Sequence, residues 1–365
     1  MTEEFFEILP VKKTFAGWHE ILSDSICTAG QLNKFLPIDV KTVSRVAKQY
    51  PMRINPYYLS LIRKTMDPVW RQSVPDQMEI EDSLCAEDPL SEEVQSPVPN
   101  LIHRYPDRVL FMVSNQCAMY CRYCMRKRKI GRPFVVNDDT IKEGILYIGK
   151  EKAVRDVLIS GGDPFLLEDE DLEKILKQLR DIPHIEIIRI HTRVPCTLPQ
   201  RVTEKLAGIL KKFHPIYINT HFNHPMEINS ESAKACCILA DSGIPLGCQT
   251  VLLKGVNDDL SIMKILMRKL LMIRVKPYYI HQADLVKGTG HFRTTIDQGI
   301  EIMKALRGYT SGIGVPYYMI DLPGGGGKVP VIPEYIKGEN SGRLIVENYK
   351  GKIYSYPLAD KSTDS

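Results

Sequence analysis

Residues 109–124 read VLFMVSNQCAMYCRYC, an apolar run that ends in three closely spaced thiols. Val109 to Val113 has the β-branched composition of a strand. Cys117, Cys121 and Cys124 then follow as CxxxCxxC, with Tyr123 before the last thiol. Downstream the pattern of short apolar runs continues at Val157 to Ser160, Ile185 to Ile190, Ile216 to Thr220, Leu246 to Leu252 and Lys276 to Ile280. Between them lie amphipathic segments such as Leu172, Ile175, Leu176 and Leu179, spaced i, i+3, i+4, i+7. Six successive βα units predict a parallel α/β sheet, because consecutive parallel strands need a crossover. Tyr317 to Ile320 is a candidate seventh strand and Leu322 to Lys328 a Pro/Gly loop. Ile345 to Tyr349 and Ile353 to Tyr356 read as a terminal hairpin about Lys350 and Gly351.

The 365 residues are 44% hydrophobic and 25% charged, with a formal charge of +4. These values suit one large α/β domain or two smaller ones and exclude wholesale disorder and a small disulfide scaffold. No stretch approaches the ~18 apolar residues of a membrane span. The start MTEEFFEILP lacks the basic and apolar regions of a signal peptide, so a cytoplasmic protein without a membrane partner is expected. The mixed charges speak against a nucleic-acid partner. Nine cysteines without a secretion signal point to a metal or to catalytic thiols rather than disulfides. Residues 1–100 carry short helical patterns, at Trp18 to Leu22 and Thr42 to Ala47, then an acidic connector from Glu79 to Pro99 that reads as a boundary. Three segments are therefore expected: a helical extension over 1–100, the βα region over 101–308 and a C-terminal segment over 309–365 that ends, after Pro357, in a loose tail.

The unusual residues fall at strand ends, where ligand chemistry collects in parallel sheets and barrels. Three thiolates in one loop suit an iron–sulfur cluster with one iron left open. Zinc is the competing reading, although no second CxxC or HxxxH supplies further ligands. Cys27, Cys85, Cys196, Cys236, Cys237 and Cys248 read as fillers. Gly161, Gly162 and Asp163 end the second strand, where missing side chains let backbone approach a ligand such as the amino group of S-adenosylmethionine; an ordinary tight turn is the alternative. Residues 321–328 read DLPGGGGK, but Leu322 occupies the first glycine position of a P-loop and Val329 follows Lys328 in place of Ser or Thr. The amides of Gly324, Gly325, Gly326 and Gly327 suit a phosphate, and Lys328 beside them suits a pyridoxal phosphate Schiff base. Arg126 opens a basic run with Lys127, Arg128, Lys129 and Arg132. Its guanidinium is read as a carboxylate clamp and the rest as a solvated face. Asp284 and Asp321 converge on the same mouth, as a cation site or as a structural ion pair. A carboxylate clamp at one end and two acids at the other describe a basic amino acid.

With these residues in view the sequence resembles the lysine 2,3-aminomutase family of radical S-adenosylmethionine, pyridoxal phosphate-dependent enzymes. The likeness runs through INPYYLSLI, SPVPNLIHRYPDRVLFMVSNQCAMYCRYC, DVLISGGDPFL, NTHFNHP, LLKGVNDD, PYYIHQADLVKGTGHFRT and DLPGGGGK. It implies a radical SAM partial (β/α)6 barrel with an N-terminal helical extension and a C-terminal pyridoxal phosphate-binding and hairpin segment. It also implies a [4Fe-4S] cluster on Cys117, Cys121 and Cys124, pyridoxal phosphate on Lys328, the substrate carboxylate on Arg126 and its distal ammonium on Asp284 and Asp321. Arg104 and Arg108 fall where the family supports pyridoxal phosphate, and His221 and Gln249 near S-adenosylmethionine. The implied reaction moves the α-amino group of lysine from C2 to C3 after a 5′-deoxyadenosyl radical takes hydrogen from C3, with an external electron donor reducing the cluster. Some members bind zinc between subunits through C-terminal cysteines and one after GVND. Asp259 stands at that place and no cysteine follows Cys248, so a homo-oligomer without structural zinc is expected. A glutamate-acting relative replaces both substrate acids, whereas arginine, or lysine isomerised for elongation factor P, remain alternatives. The reading from another class is an iron–sulfur protein that binds or modifies nucleic acid.

Overall fold

The computed structural model describes residues 15–83, 85–132 and 136–359. The acidic start and the last six residues of the expected tail lie outside them. The main sheet has nine strands in sequence order. They are β1 (Leu101–Tyr105), β2 (Arg108–Ser114), β3 (Asp156–Gly161), β4 (Ile187–His191), β5 (Ile216–Thr220), β6 (Leu246–Leu252), β7 (Lys276–Gln282), β8 (Tyr317–Leu322) and β9 (Gly327–Pro330). β2 to β8 are parallel, whereas β1 and β9 run antiparallel to their neighbours at the two edges. A separate antiparallel sheet follows, from β10 (Ile336–Asn340), β11 (Arg343–Glu347) and β12 (Ile353–Pro357).

Each parallel strand hands over to the next through a helix, and polar caps set where those helices begin. Asn137 starts Asp138–Lys150 and Asn229 starts Ser230–Asp241, each with a reciprocal capping box. Asp259 accepts from the Ser261 and Ile262 amides and starts Leu260–Met272. Leu172, Ile175, Leu176 and Leu179 are the buried stripe of Asp169–Arg180, as their spacing predicts. Helix and strand approach closely where Gly144 faces β2, since a Cβ there would come within 2.3 Å of the Phe111 ring. The sheet bends until its edges meet: Arg104 of β1 bonds Asp321 of β8 at 2.8 Å, and the Lys328 amide of β9 donates to Tyr105 Oη at 2.9 Å. The result is a partial barrel.

Three strands lie outside the sequence expectation. β1 is short and half polar, β9 begins with glycine inside the expected loop, and β10 is exposed along its whole length, so none shows a buried strand's pattern. His281 lies within β7 rather than after it. The nine-stranded sheet also spans the expected division at residue 308. The acidic connector is no boundary. Ala86 pairs with Val286, Glu79 is fully buried, and Trp18, Val43, Tyr58 and Trp70 belong to the same apolar core as β2 to β8. No helix among the described residues is long and apolar enough to cross a membrane.

Candidate active site

The thiol loop is held from below by the N-terminal helices. Tyr120 and Arg122 donate their amides to the Arg53 and Gln72 carbonyls, and the Arg122 side chain reaches Glu79 and the Tyr50 and Pro51 carbonyls. Ala118, Met119, Tyr120, Arg122 and Tyr123 are buried, while Cys117, Cys121 and Cys124 are only half-buried. Burial pushes the Cys117 thiol up, with Asp163, Cys124 and Cys121 adding to it, and the Cys124 thiol up to about 11, with Cys121 adding. No three His, Cys, Asp or Glu among the described residues are arranged to hold a single metal ion. Three thiols in one loop suit a cluster that takes one thiolate per iron and leaves one iron open.

β3 fixes this loop from the side. A Cβ on Gly161 would lie 2.2 Å from the Ser114 carbonyl oxygen, and one on Gly162 2.3 Å from that of Gln116. These glycines therefore let two strand-end loops touch. Asp163 departs from the expected ligand role: its carboxylate accepts from the Phe165 amide, Thr192 Oγ1 at 2.6 Å and the Arg193 amide at 2.7 Å. A buried acid, pushed up to about 6 by desolvation, takes the donors that tie the end of β3 to the end of β4. His221 accepts or donates at 3.0 Å to Tyr123 Oη, and burial with Arg193 nearby holds it neutral. Gln249 lies half-buried on β6, in register with Tyr279.

The opposite wall is the β8–β9 hairpin. Asp321 and Lys328 face each other in its ladder, and Lys328 Nζ contacts Asp321 Oδ2 while Arg104 holds Oδ1. Gly324, Gly325 and Gly327 have φ of 68°, 84° and 86°. Glycine is required there for the turn. Gly324 donates its amide to the Pro89 carbonyl and Gly326 to that of Pro323, so two of the four expected phosphate-facing amides are spent on the turn. Arg108 pairs with Asp107 and lies 4.0 Å over the Tyr105 ring. Lys328 reaches His191, His281 and Asp284 electrostatically; burial, ahead of that charge, pushes His191 down to about 3 and keeps His281 neutral.

Arg126 also differs from expectation. Its Nε and Nη2 already grip Glu92, at 3.1 and 2.7 Å, because a buried guanidinium needs a counter-charge. Glu92 is held down to about 2, chiefly by Arg126 against the cost of burial. Of the other basic residues of the run, Arg132 is exposed, but the remaining three are not a solvated face. Lys127 is buried on Glu79, Arg128 bridges Asp88, Glu92 and Glu93, and Lys129 pairs with Glu93. The acidic connector thus neutralises the basic run from within, which removes the electrostatic footprint of a nucleic-acid site. Asp284 is half-buried and pushed up to about 6 by desolvation and by Asp321 and Glu92, with Lys328 and Arg126 opposing. Its loop is pinned by Asp82, which accepts from the Gly288, Thr289 and Gly290 amides at 2.9, 3.2 and 2.9 Å. A cavity of about 470 Å³ opens beside the acids, lined by Asp284, Asp321, Leu90, Gln282, Arg293 and Thr294. The two acids line this cavity, and Lys328 and Arg126 lie within electrostatic reach of Asp284.

A model of the radical SAM superfamily matches residues 111–264, and a lysine-2,3-aminomutase model matches residues 303–365. The L-lysine 2,3-aminomutase of Clostridium subterminale is 48% identical, over 93% of this chain and 83% of its own. That of Acetoanaerobium sticklandii is 49% identical, over 100% and 89%. The glutamate 2,3-aminomutase of Clostridioides difficile is 46% identical, over 91% and 80%.

Proposed function

This chain belongs to the lysine 2,3-aminomutase family of radical S-adenosylmethionine enzymes, and from that premise we propose that it converts L-lysine to β-lysine by moving the α-amino group from C2 to C3. Support for lysine comes from one observation: two acids, Asp284 and Asp321, line one cavity together with Arg293, and Arg126 lies within electrostatic reach of Asp284. A glutamate side chain would set a third carboxylate against those two at a cost of several kcal/mol. The guanidinium of arginine suits the same acids, and the space beside them supports it as a second reading.

Cys117, Cys121 and Cys124 would hold the [4Fe-4S] cluster and Lys328 the pyridoxal phosphate. When bound, the reduced cluster with S-adenosylmethionine supplies a carbon radical that abstracts hydrogen, and pyridoxal phosphate supplies the conjugated ring that carries the migrating nitrogen. The protein's part is positioning. Arg126 is oriented by Glu92 through Nε and Nη2, which leaves Nη1 for the substrate carboxylate. Asp321 keeps a cation throughout, since Arg104 holds its Oδ1, while Oδ2, which Lys328 contacts here, is the oxygen left for the ammonium of the substrate. Asp284 is the second acid, and the Asp82 clamp sets its height above the mouth. The neutral His191 and His281 add no competing positive charge beside Lys328. The proposal also takes the enzyme as cytoplasmic, where thiols stay reduced, and as a homo-oligomer, supported by the exposed Ile353, Tyr354 and Tyr356 of β12.

The test is an anaerobic assay of reconstituted, reduced protein with both cofactors, offered lysine, arginine or glutamate separately. β-Lysine dependent on every component is the expected result. β-Arginine alone would keep the chemistry and overturn the substrate; β-glutamate alone would overturn the role of both acids.

A further inference from the structure

Arg193 lies just beyond β4, and its guanidinium is buried against a thiol. Nη1 is 2.8 Å from Cys121 Sγ, while Nη2 donates to Gln72 Oε1 at 2.8 Å and to Glu227 Oε1 at 2.6 Å. The group is fixed from all sides. The Arg193 amide donates to Asp163, and the guanidinium carbon lies 5.5 Å from the Tyr123 ring centroid and 5.6 Å from that of Tyr58. Nε is buried with no partner among the described residues. Glu227 is fully buried, but its charge is shared with Tyr58 Oη at 2.7 Å and with the Asn223 and His224 amides at 2.6 and 2.8 Å. The positive end of the pair therefore faces the sulfur, and the negative end is solvated by protein donors on the far side.

A cluster that gains one electron gains one negative charge, spread in part onto its thiolate sulfurs. A cation held against one of those sulfurs, where little water screens it, stabilises the reduced form more than the oxidised form. The planar fork matters too: arginine spans sulfur and carboxylate with two nitrogens, which a lysine ammonium matches as charge but not as geometry. We propose that Arg193 is a positioning residue for the iron–sulfur cluster, fixing the Cys121 sulfur and making the cluster easier to reduce. The inference rests on the reading of Cys117, Cys121 and Cys124 as cluster ligands.

The experiment uses full-length protein, reconstituted anaerobically, with iron and sulfide counted. The cluster is titrated with dithionite and mediators and followed by electron paramagnetic resonance, without substrate. For Arg193→Gln the reduction equilibrium is expected to move tenfold or more toward the oxidised form, about 59 mV per tenfold for a one-electron couple. Arg193→Lys should recover most of the shift. A fully loaded R193Q protein with the wild-type potential overturns the inference. Should R193Q take up no iron, Gln72→Glu decides, because it keeps Arg193 and adds a carboxylate to Nη2. A lower potential supports the inference and an unchanged one overturns it. A wild-type protein that assembles no cluster would instead overturn the ligand reading beneath it.

Discussion

The two walls of the mouth are built by opposite means. On the thiol side every functional group is held by buried partners: Arg122 by Glu79, Arg193 by Glu227 and Gln72, the end of β4 by Asp163. On the lysine side the groups hold one another, with Asp321 between Arg104 and Lys328 on a hairpin whose glycine turn is partly exposed. The first wall is set by folding and the second is set by ion pairs that a ligand exchanges. Rigidity is thus spent where a cluster must be kept, and interchangeable charge where a substrate must come and go.

That contrast predicts that substitutions on the lysine wall destroy function at little cost in stability, and that the reverse holds beneath the thiols. Lys328→Ala should abolish turnover and the covalently held pyridoxal absorbance while iron content and the urea midpoint stay near wild type. Loss of iron in that variant would break the contrast. Glu79→Gln leaves Arg122 and Lys127 buried without their counter-charge, so unfolding in urea should show a loss of about 3–5 kcal/mol. A change below about 1 kcal/mol would mean the thiol loop is not anchored there. Asp284→Asn belongs to the lysine wall and should behave as such. Its acid, raised in the fold to about 6 from 3.8, is disfavoured when charged. The Asn variant should therefore be more stable than wild type at pH 7 by about 1–3 kcal/mol. The gain should fade as pH falls from about 6 through 3.8, below which the wild-type acid is protonated in both states, and lysine affinity should fall at pH 7. The smallest effect is expected for Asp82→Asn, about 1 kcal/mol with a raised KM for lysine and an unchanged cluster, since an amide oxygen still accepts from the same loop.

Much of the first wall was legible because its signals are local. Each expected parallel strand lies within two residues of the observed one at its start, and the glycines of Gly161 and Gly162 mark the contact of neighbouring loops. What was not legible depends on residues distant in sequence. Arg193 meets Cys121, Gln72 and Glu227 through three different segments, and no spacing rule links them. Glu92 against Arg126 had a signal of another kind: an acidic connector and a basic run, with partners some 35 residues apart, each too charged to stay unpaired near a core. Read as opposite runs, they name each other. Asp163 shows the converse error, since a strand-end acid looks like a ligand whether it faces the mouth or, as here, ties two loops together.

The meeting of the sheet's edges has a consequence for the protein's behaviour at high concentration. An open sheet presents two rows of unsatisfied amides and carbonyls, each able to template a strand from another molecule. β1 meets the β8–β9 hairpin across the seam, bridged by Arg104 with Asp321 of β8 and by Tyr105 with the Lys328 backbone of β9. The residues that serve the lysine wall are therefore also the guard of both edges. Removing Arg104 would disturb more than the reaction: it would free two strands to recruit neighbours, and self-association seen by light scattering would rise before any loss of helix was detected.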